Sequence, residues 1–172
     1  MRKRLLSIIL LAAFTQAHAS EGLRLDSDKR RNVEHLFLGK FLPVNEAFQA
    51  SAWRNDGKVF VGFENAPGYY LHRHQFALES RDPLVSFGEL EIPPGELVVH
   101  PQLGEIYVFY NQVVLSAPIV SESADTGPLA ITVTFQGCSD DGLCYPPAQT
   151  ELEAFAGSVP VTFASGQLPD GT

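Results

Sequence analysis

The 172-residue chain carries 12 Lys and Arg against 20 Asp and Glu, a formal charge of −8, with 45% hydrophobic residues and only 2 cysteines. Such an acidic balance gives no electrostatic footprint for nucleic acid or an anionic membrane surface, while the length and apolar content suit one domain with a core of its own. After the first residues, no apolar run approaches the roughly 20 residues that a membrane-crossing helix needs.

Arg2, Lys3 and Arg4 precede an apolar run, Leu5 to Phe14, and then Ala17-His18-Ala19. A basic start, a short apolar stretch and a small-x-small triplet predict a bacterial signal peptide over 1–19, cleaved before Ser20. No cysteine stands at that junction, which argues against a lipoprotein. Loss of Arg2, Lys3 and Arg4 leaves 9 basic residues against the 20 acidic ones. Residues 20–35 read as a flexible charged segment, 36–164 as the folded domain and 165–172 as a disordered tail.

Within the domain, Pro43 and Asn45 interrupt an apolar stretch, and a helical turn is expected around Asn45-Glu46-Ala47. Lys58 to Glu64 alternates, with Val59, Val61 and Phe63 on one face. Asn65-Ala66-Pro67-Gly68 is a turn, and the aromatic-rich Tyr69 to Leu78 reads as one further strand. A short strand is expected within Val85 to Leu90, then β-rich stretches at Val98-Val99 and Ile106 to Leu115, with the loop His100 to Gly104 between them. Pro118 to Val120 is extended and Thr126-Gly127-Pro128 is a turn. Leu129 to Gln136 is the clearest strand, with Leu129, Ile131, Val133 and Phe135 facing inward. Val159 to Phe163 closes the domain. Trp53, Tyr69, Phe76, Phe109 and Phe135 are expected in the core. Short strands, frequent turns and no long amphipathic helix predict an all-β sandwich or barrel.

Chemistry concentrates in Gln136-Gly137-Cys138-Ser139-Asp140-Asp141-Gly142-Leu143-Cys144-Tyr145-Pro146-Pro147. The glycines permit tight turns and the prolines stiffen the exit. An exported chain meets oxidising conditions, so Cys138 and Cys144 are expected to pair. A ring this small contributes about 2–2.5 kcal/mol in the chain-entropy model, modest for a domain with its own core. From the residues alone, a hairpin staple and a redox-active pair both remain open.

That segment resembles the cysteine motif of the N-terminal periplasmic domain of the DsbD thiol:disulfide interchange family. Phe41-Leu42-Pro43-Val44-Asn45-Glu46-Ala47-Phe48 resembles the family's opening motif, Pro67-Gly68-Tyr69-Tyr70-Leu71-His72-Arg73 its Gly-Tyr-Tyr-Leu-Tyr-Arg strand, and Glu105-Ile106-Tyr107 a shorter piece. The resemblance implies an immunoglobulin-like β-sandwich and a monomeric protein-disulfide reductase domain that needs no cofactor or metal. Electrons would arrive from a membrane electron-transfer domain through a thioredoxin-like donor. They would leave to periplasmic disulfide isomerases and cytochrome c maturation thioredoxins. Cys138 and Cys144 become the redox pair, with Cys138 the cysteine expected to join partners in mixed disulfides, and Tyr70 lies beside the active site.

Two features depart from the family pattern. His72 stands where the family has Tyr. Where the family places a cap loop with acidic residues and a Phe-Tyr pair, this chain has Val98 to Gly104, leaving His100 and Leu103 as the candidate shield. The family's membrane helices and thioredoxin domain do not follow, so the donor is expected on another polypeptide or in a region outside this sequence. Asp140 and Asp141, between the cysteines, are expected to oppose thiolate formation. A non-redox immunoglobulin-like binding module with a structural disulfide is one alternative. A metal carrier using His72, His74 and His100 is the other, unsupported by any methionine cluster, since Met1 is the only methionine.

Overall fold

The structure is a computed structural model that describes residues 40–121, 127–157 and 159–164. The expected signal peptide, flexible segment and tail, and Thr126 of the turn Thr126-Gly127-Pro128, lie outside the described residues. Among the described residues two α-helical turns, α1 (Val44–Ala47) and α2 (Val161–Ala164), flank eleven strands. These are β1 (Phe48–Asn55), β2 (Lys58–Asn65), β3 (Tyr69–His72), β4 (Ala77–Ser80), β5 (Ser86–Phe87), β6 (Glu96–His100), β7 (Gly104–Tyr110), β8 (Gln112–Ser121), β9 (Leu129–Phe135), β10 (Gly137–Ser139) and β11 (Ala148–Ala156). They form a seven-stranded sheet ordered β4-β9-β11-β1-β2-β8-β5 and a four-stranded sheet ordered β10-β3-β7-β6. Among the described pairs only β1 and β11 run parallel.

The period of two explains the core. Val59, Val61 and Phe63 of β2 and Leu129, Ile131, Val133 and Phe135 of β9 are all buried, and they meet Tyr69 and Leu71 of β3 and Phe109 of β7 in one cluster between the sheets. The expected aromatics lie there or in its second layer, except Trp53. Its ring is sandwiched by Phe60 and Phe163, each 5.5 Å away, as α2 lays Phe163 over Gly62. Val159 to Phe163 therefore closes the domain, with a helical turn at its end.

One sequence expectation needs correction, and two details went unread. Tyr69 to Leu78 is two strands in different sheets, because a 3₁₀ turn at Arg73–Gln75 carries the chain from one layer to the other. Ile106 to Leu115 is likewise split, at Asn111, whose φ of 58° ends β7 and starts β8. β1 and β11 escaped notice because their inward positions are mostly small or polar, such as Ala50 and Ala52 in β1 and Ala148 and Thr150 in β11, and give little apolar signal.

The split at Arg73 decides where the site lies. Successive side chains of β3 point to opposite faces. Tyr69 and Leu71 enter the main core, and Tyr70 and His72 face the other side of the small sheet. There Tyr70, Ile106, Val108 and Cys138 make a second buried cluster, with Val98 and Tyr110 packed against it.

Candidate active site on the outer face of the small sheet

After β9 the chain passes Gln136 and pairs β10 with β3 in the register Gly137↔Leu71, Cys138↔Tyr70 and Ser139↔Tyr69. Gly137 is required by close approach: a Cβ would lie 2.4 Å from Phe48 Cζ and 2.6 Å from the Tyr70 carbonyl oxygen. A tight turn follows, in which Gly142 N–H donates to the Ser139 carbonyl (2.9 Å) and Ser139 N–H to the Leu143 carbonyl (2.7 Å). Gly142 sits there at φ 92°. The turn sets Cys144 directly across from Cys138 as an antiparallel bridge, and the two sulfurs are bonded at 2.07 Å.

The sulfurs differ in environment. Cys138 is 0% exposed, and Cys144 is solvent-accessible. Each faces its own imidazole: His72 Nε2 lies 3.2 Å from Cys138 Sγ, and His100 Nε2 lies 3.8 Å from Cys144 Sγ. His72 is 2% exposed. Burial, reinforced by His74 and His100, pushes its pKa down to about 4, so the ring is neutral at ordinary pH. Its ring stacks between Tyr70 (5.8 Å) and His74 (5.7 Å).

The expected site residues mostly converge. Tyr70 lies beside Cys138, and burial followed by the Asp140 charge raises its hydroxyl pKa. His100, at the end of β6, accepts backbone N–H bonds from Gln102 and Leu103 at its Nδ1, both at 3.2 Å. Leu103 joins the site through that N–H, while its side chain is half exposed. Asp140 accepts a hydrogen bond from the Tyr110 hydroxyl (2.9 Å), and Asp141 pairs with Lys40 at 3.7 Å. The two carboxylates thus have partners other than sulfur. Tyr110 is the residue that sequence reasoning missed. Burial, then the bond to Asp140, pushes its pKa up to about 12. The Ile106, Val108, Tyr110 alternation signals it once β7 is seen to end there.

Among the described residues, His100, Cys138 and Cys144 each bring one donor atom within 4.8 Å of the others, a spacing that could hold a metal. With the sulfurs bonded to each other neither is a thiolate, and the His100 Nδ1 bonds leave the ring proton on Nε2, the nitrogen that faces the sulfur. The arrangement suits proton donation better than metal ligation.

An immunoglobulin-like sandwich with an outward-facing disulfide, one sulfur sealed and one accessible, defines the chain as a thiol–disulfide exchange domain. Residues 39–156 match the family model described as Thiol:disulfide interchange protein DsbD, N-terminal. The chain belongs to that family. It is 36% identical over 171 residues to Thiol:disulfide interchange protein DsbD 1 of Pseudomonas aeruginosa, covering 97% of this chain and 28% of the relative. It is also 36% identical over 113 residues to DsbD of Ralstonia nicotianae, covering 65% and 18%. The chain thus spans under a third of the length of these relatives. Among solved structures it resembles the reduced N-terminal domain of Neisseria meningitidis DsbD, with a TM-score of 0.61 and 25% identity over 71% of this chain and 95% of that one. It also resembles a structure of the complex between the DsbD and PilB N-terminal domains of the same organism, with a TM-score of 0.56 and 26% identity over 66% and 87%.

Proposed function

We propose that residues 36–164 form a periplasmic protein-disulfide reductase domain, exported by the 1–19 signal peptide, that passes electron pairs through Cys138 and Cys144. The observation that carries this reading is the asymmetry of the pair. An accessible sulfur can be reached by another protein, and a sealed one beside it can resolve the product.

In the reduced domain, the Cys144 thiolate attacks a partner's disulfide. A bond forms between Cys144 Sγ and one partner sulfur, and the other partner sulfur leaves as thiolate. Cys138 then loses its proton and attacks Cys144 Sγ. The intradomain disulfide forms, the second partner thiolate leaves, and two electrons have passed to the partner. A thioredoxin-like donor restores the dithiol by the reverse sequence. Burial thus supports Cys144 as the cysteine that joins the partner in the mixed disulfide, whereas the family resemblance points to Cys138. Oxidised periplasmic isomerases and cytochrome c maturation thioredoxins are the acceptors that family membership favours. The Neisseria DsbD–PilB complex is a precedent for docking of this domain type on another protein's domain.

Trapping tests the reading. Reduced Cys138→Ser, with Cys144 intact, accumulates a mixed disulfide with an oxidised thioredoxin-like protein. Reduced Cys144→Ser accumulates little. Equal failure of both variants would overturn the relay, and trapping only on Cys138 would overturn the assignment of roles.

A further inference from the structure

We infer that His100 is the hydrogen-bond donor that activates Cys144, its ring fixed by the backbone of its own turn so that the Nε2 proton points at the sulfur. This deepens the relay reading and rests on it for its biological meaning.

A neutral imidazole has one N–H and one bare nitrogen, and its bonding partners reveal which is which. At His100 the Nδ1 is the acceptor for two backbone donors, Gln102 N–H and Leu103 N–H. Both donors are already committed as N–H groups, so Nδ1 carries no proton and Nε2 does. That Nε2 is the atom 3.8 Å from Cys144 Sγ. The turn after β6 therefore has two consequences at once. It caps its own amides on the ring, and it orients a proton at the accessible sulfur.

Other charged and titratable groups surround the same sulfur. Cys138 on β10 and His72 on β3 lie behind it. Asp140 and Asp141 stand in the cysteine turn, and Tyr110 on β7 holds Asp140. The carboxylates oppose an anion at Cys144, and a donor favours it. Lys40 and Tyr110 engage the carboxylates, so the imidazole N–H is the group with a donor in contact with this sulfur. Stabilising the thiolate raises the fraction of Cys144 able to attack, and the same contact steadies the anion when Cys144 is a leaving group.

Two substitutions separate the donor from the turn. In His100→Asn, Oδ1 takes the place of Nδ1 and still caps Gln102 and Leu103, but nothing replaces Nε2. In His100→Gln, the amide nitrogen takes the place of Nε2, and the cap is lost. The full chain is reduced with a phosphine, freed of reductant and alkylated with iodoacetamide across pH, each cysteine being followed by peptide mass spectrometry. His100→Asn should slow alkylation of Cys144 about tenfold at neutral pH and move its profile upward, a hydrogen bond to an ionised sulfur discounted for exposure. His100→Gln should stay within about threefold of wild type, since it keeps a donor of the same reach. An Asn profile superimposed on wild type overturns the inference, as does a Gln variant slowed as much as Asn, which would assign the effect to the turn. If Cys144 alkylation depends on His100 while neither cysteine traps a partner protein, the donor stands and the relay reading falls. If trapping succeeds and alkylation ignores His100, only the inference falls.

Discussion

Replacing Gly137 by Ala tests whether the cysteine hairpin is held by packing. The added Cβ would sit 2.4 Å from Phe48 Cζ and 2.6 Å from the Tyr70 carbonyl oxygen, where comfortable contact needs about 3.5 Å or more. The oxygen belongs to the backbone of β3 and cannot swing aside. Phe48 has little room to retreat, since its ring packs edge-on against Tyr69, Phe135 and Tyr145 with centroids 5.7–6.0 Å away. Relief therefore requires β10 to move off β3, drawing Cys138 from His72. Overpacking of a rigid site costs about 1–3 kcal/mol, and two rigid neighbours put Gly137→Ala at the upper end, about 3 kcal/mol. Urea unfolding of the oxidised protein, read from the single tryptophan, Trp53, gives the difference. A loss below about 0.5 kcal/mol with an unchanged urea slope would refute the packing argument.

Further outcomes follow from the same site. In the reduced protein, Cys138 should alkylate at least tenfold more slowly than Cys144, as burial withholds both reagent and ionisation; equal rates in peptide mapping would contradict the observed asymmetry. His72, with its folded pKa near 4 against an unfolded value near 6.5, contributes stability that is complete above about pH 6.5 and is lost as pH falls toward 4. Its NMR imidazole signal should remain neutral at pH 5, and titration at the ordinary value would negate this. Tyr110 is raised to about 12, so its contribution is present below about pH 10 and fades as pH rises toward 12. Asp140→Asn should lower that pKa while leaving it above the ordinary value, because burial is the larger cause; tyrosinate absorbance at high pH reads it. Cys138→Ser should fold, losing about 2–2.5 kcal/mol of ring stabilisation, and should lose partner reduction. Full activity in that variant would end the redox assignment.

Much of this was legible where sequence period and packing agree. β2 and β9 announce themselves because every second residue is apolar and buried. The cysteine turn is readable from Gly137, Gly142 and the Pro146-Pro147 exit. The crossover at Arg73–Gln75 was not, because the aromatic-rich run carries on to Phe76 and Leu78 across a turn that contains neither Gly nor Pro, although the core positions change phase there, from Tyr69 and Leu71 to Phe76 and Leu78. Without that break, His72 and His74 read as two residues on one strand face. The structure keeps their rings stacked but leaves His72 buried at a strand end and His74 exposed on the turn. The tautomer of His100 was beyond reach of the sequence, since it depends on where two backbone N–H groups, two and three residues further on, point.

The two places at which this chain leaves the family's motif are the two imidazoles that touch its sulfurs. His72 stands where the motif has a tyrosine, and His100 lies in the stretch that replaces the acidic cap. A tyrosine ordinarily keeps its proton to about pH 10, and burial holds it longer. A buried neutral imidazole with its Nε2 3.2 Å from Cys138 Sγ instead would, in the tautomer protonated at Nδ1, accept the thiol proton as Cys138 turns to attack Cys144. An acidic cap would place negative charge near the accessible sulfur and hold it as a thiol. His100 presents an N–H there, and the remaining carboxylates, Asp140 and Asp141, are bound to Tyr110 and Lys40. Both changes act in the same direction, toward easier proton loss at each sulfur. They also occupy different strands, β3 and β6, so either can be reversed without disturbing the hairpin. Installing Tyr at position 72 should slow resolution of the mixed disulfide while leaving Cys144 alkylation near wild type. Removing the donor at position 100 should do the opposite. If both substitutions slow the same step, the sulfurs share one proton path and the division between the imidazoles is wrong.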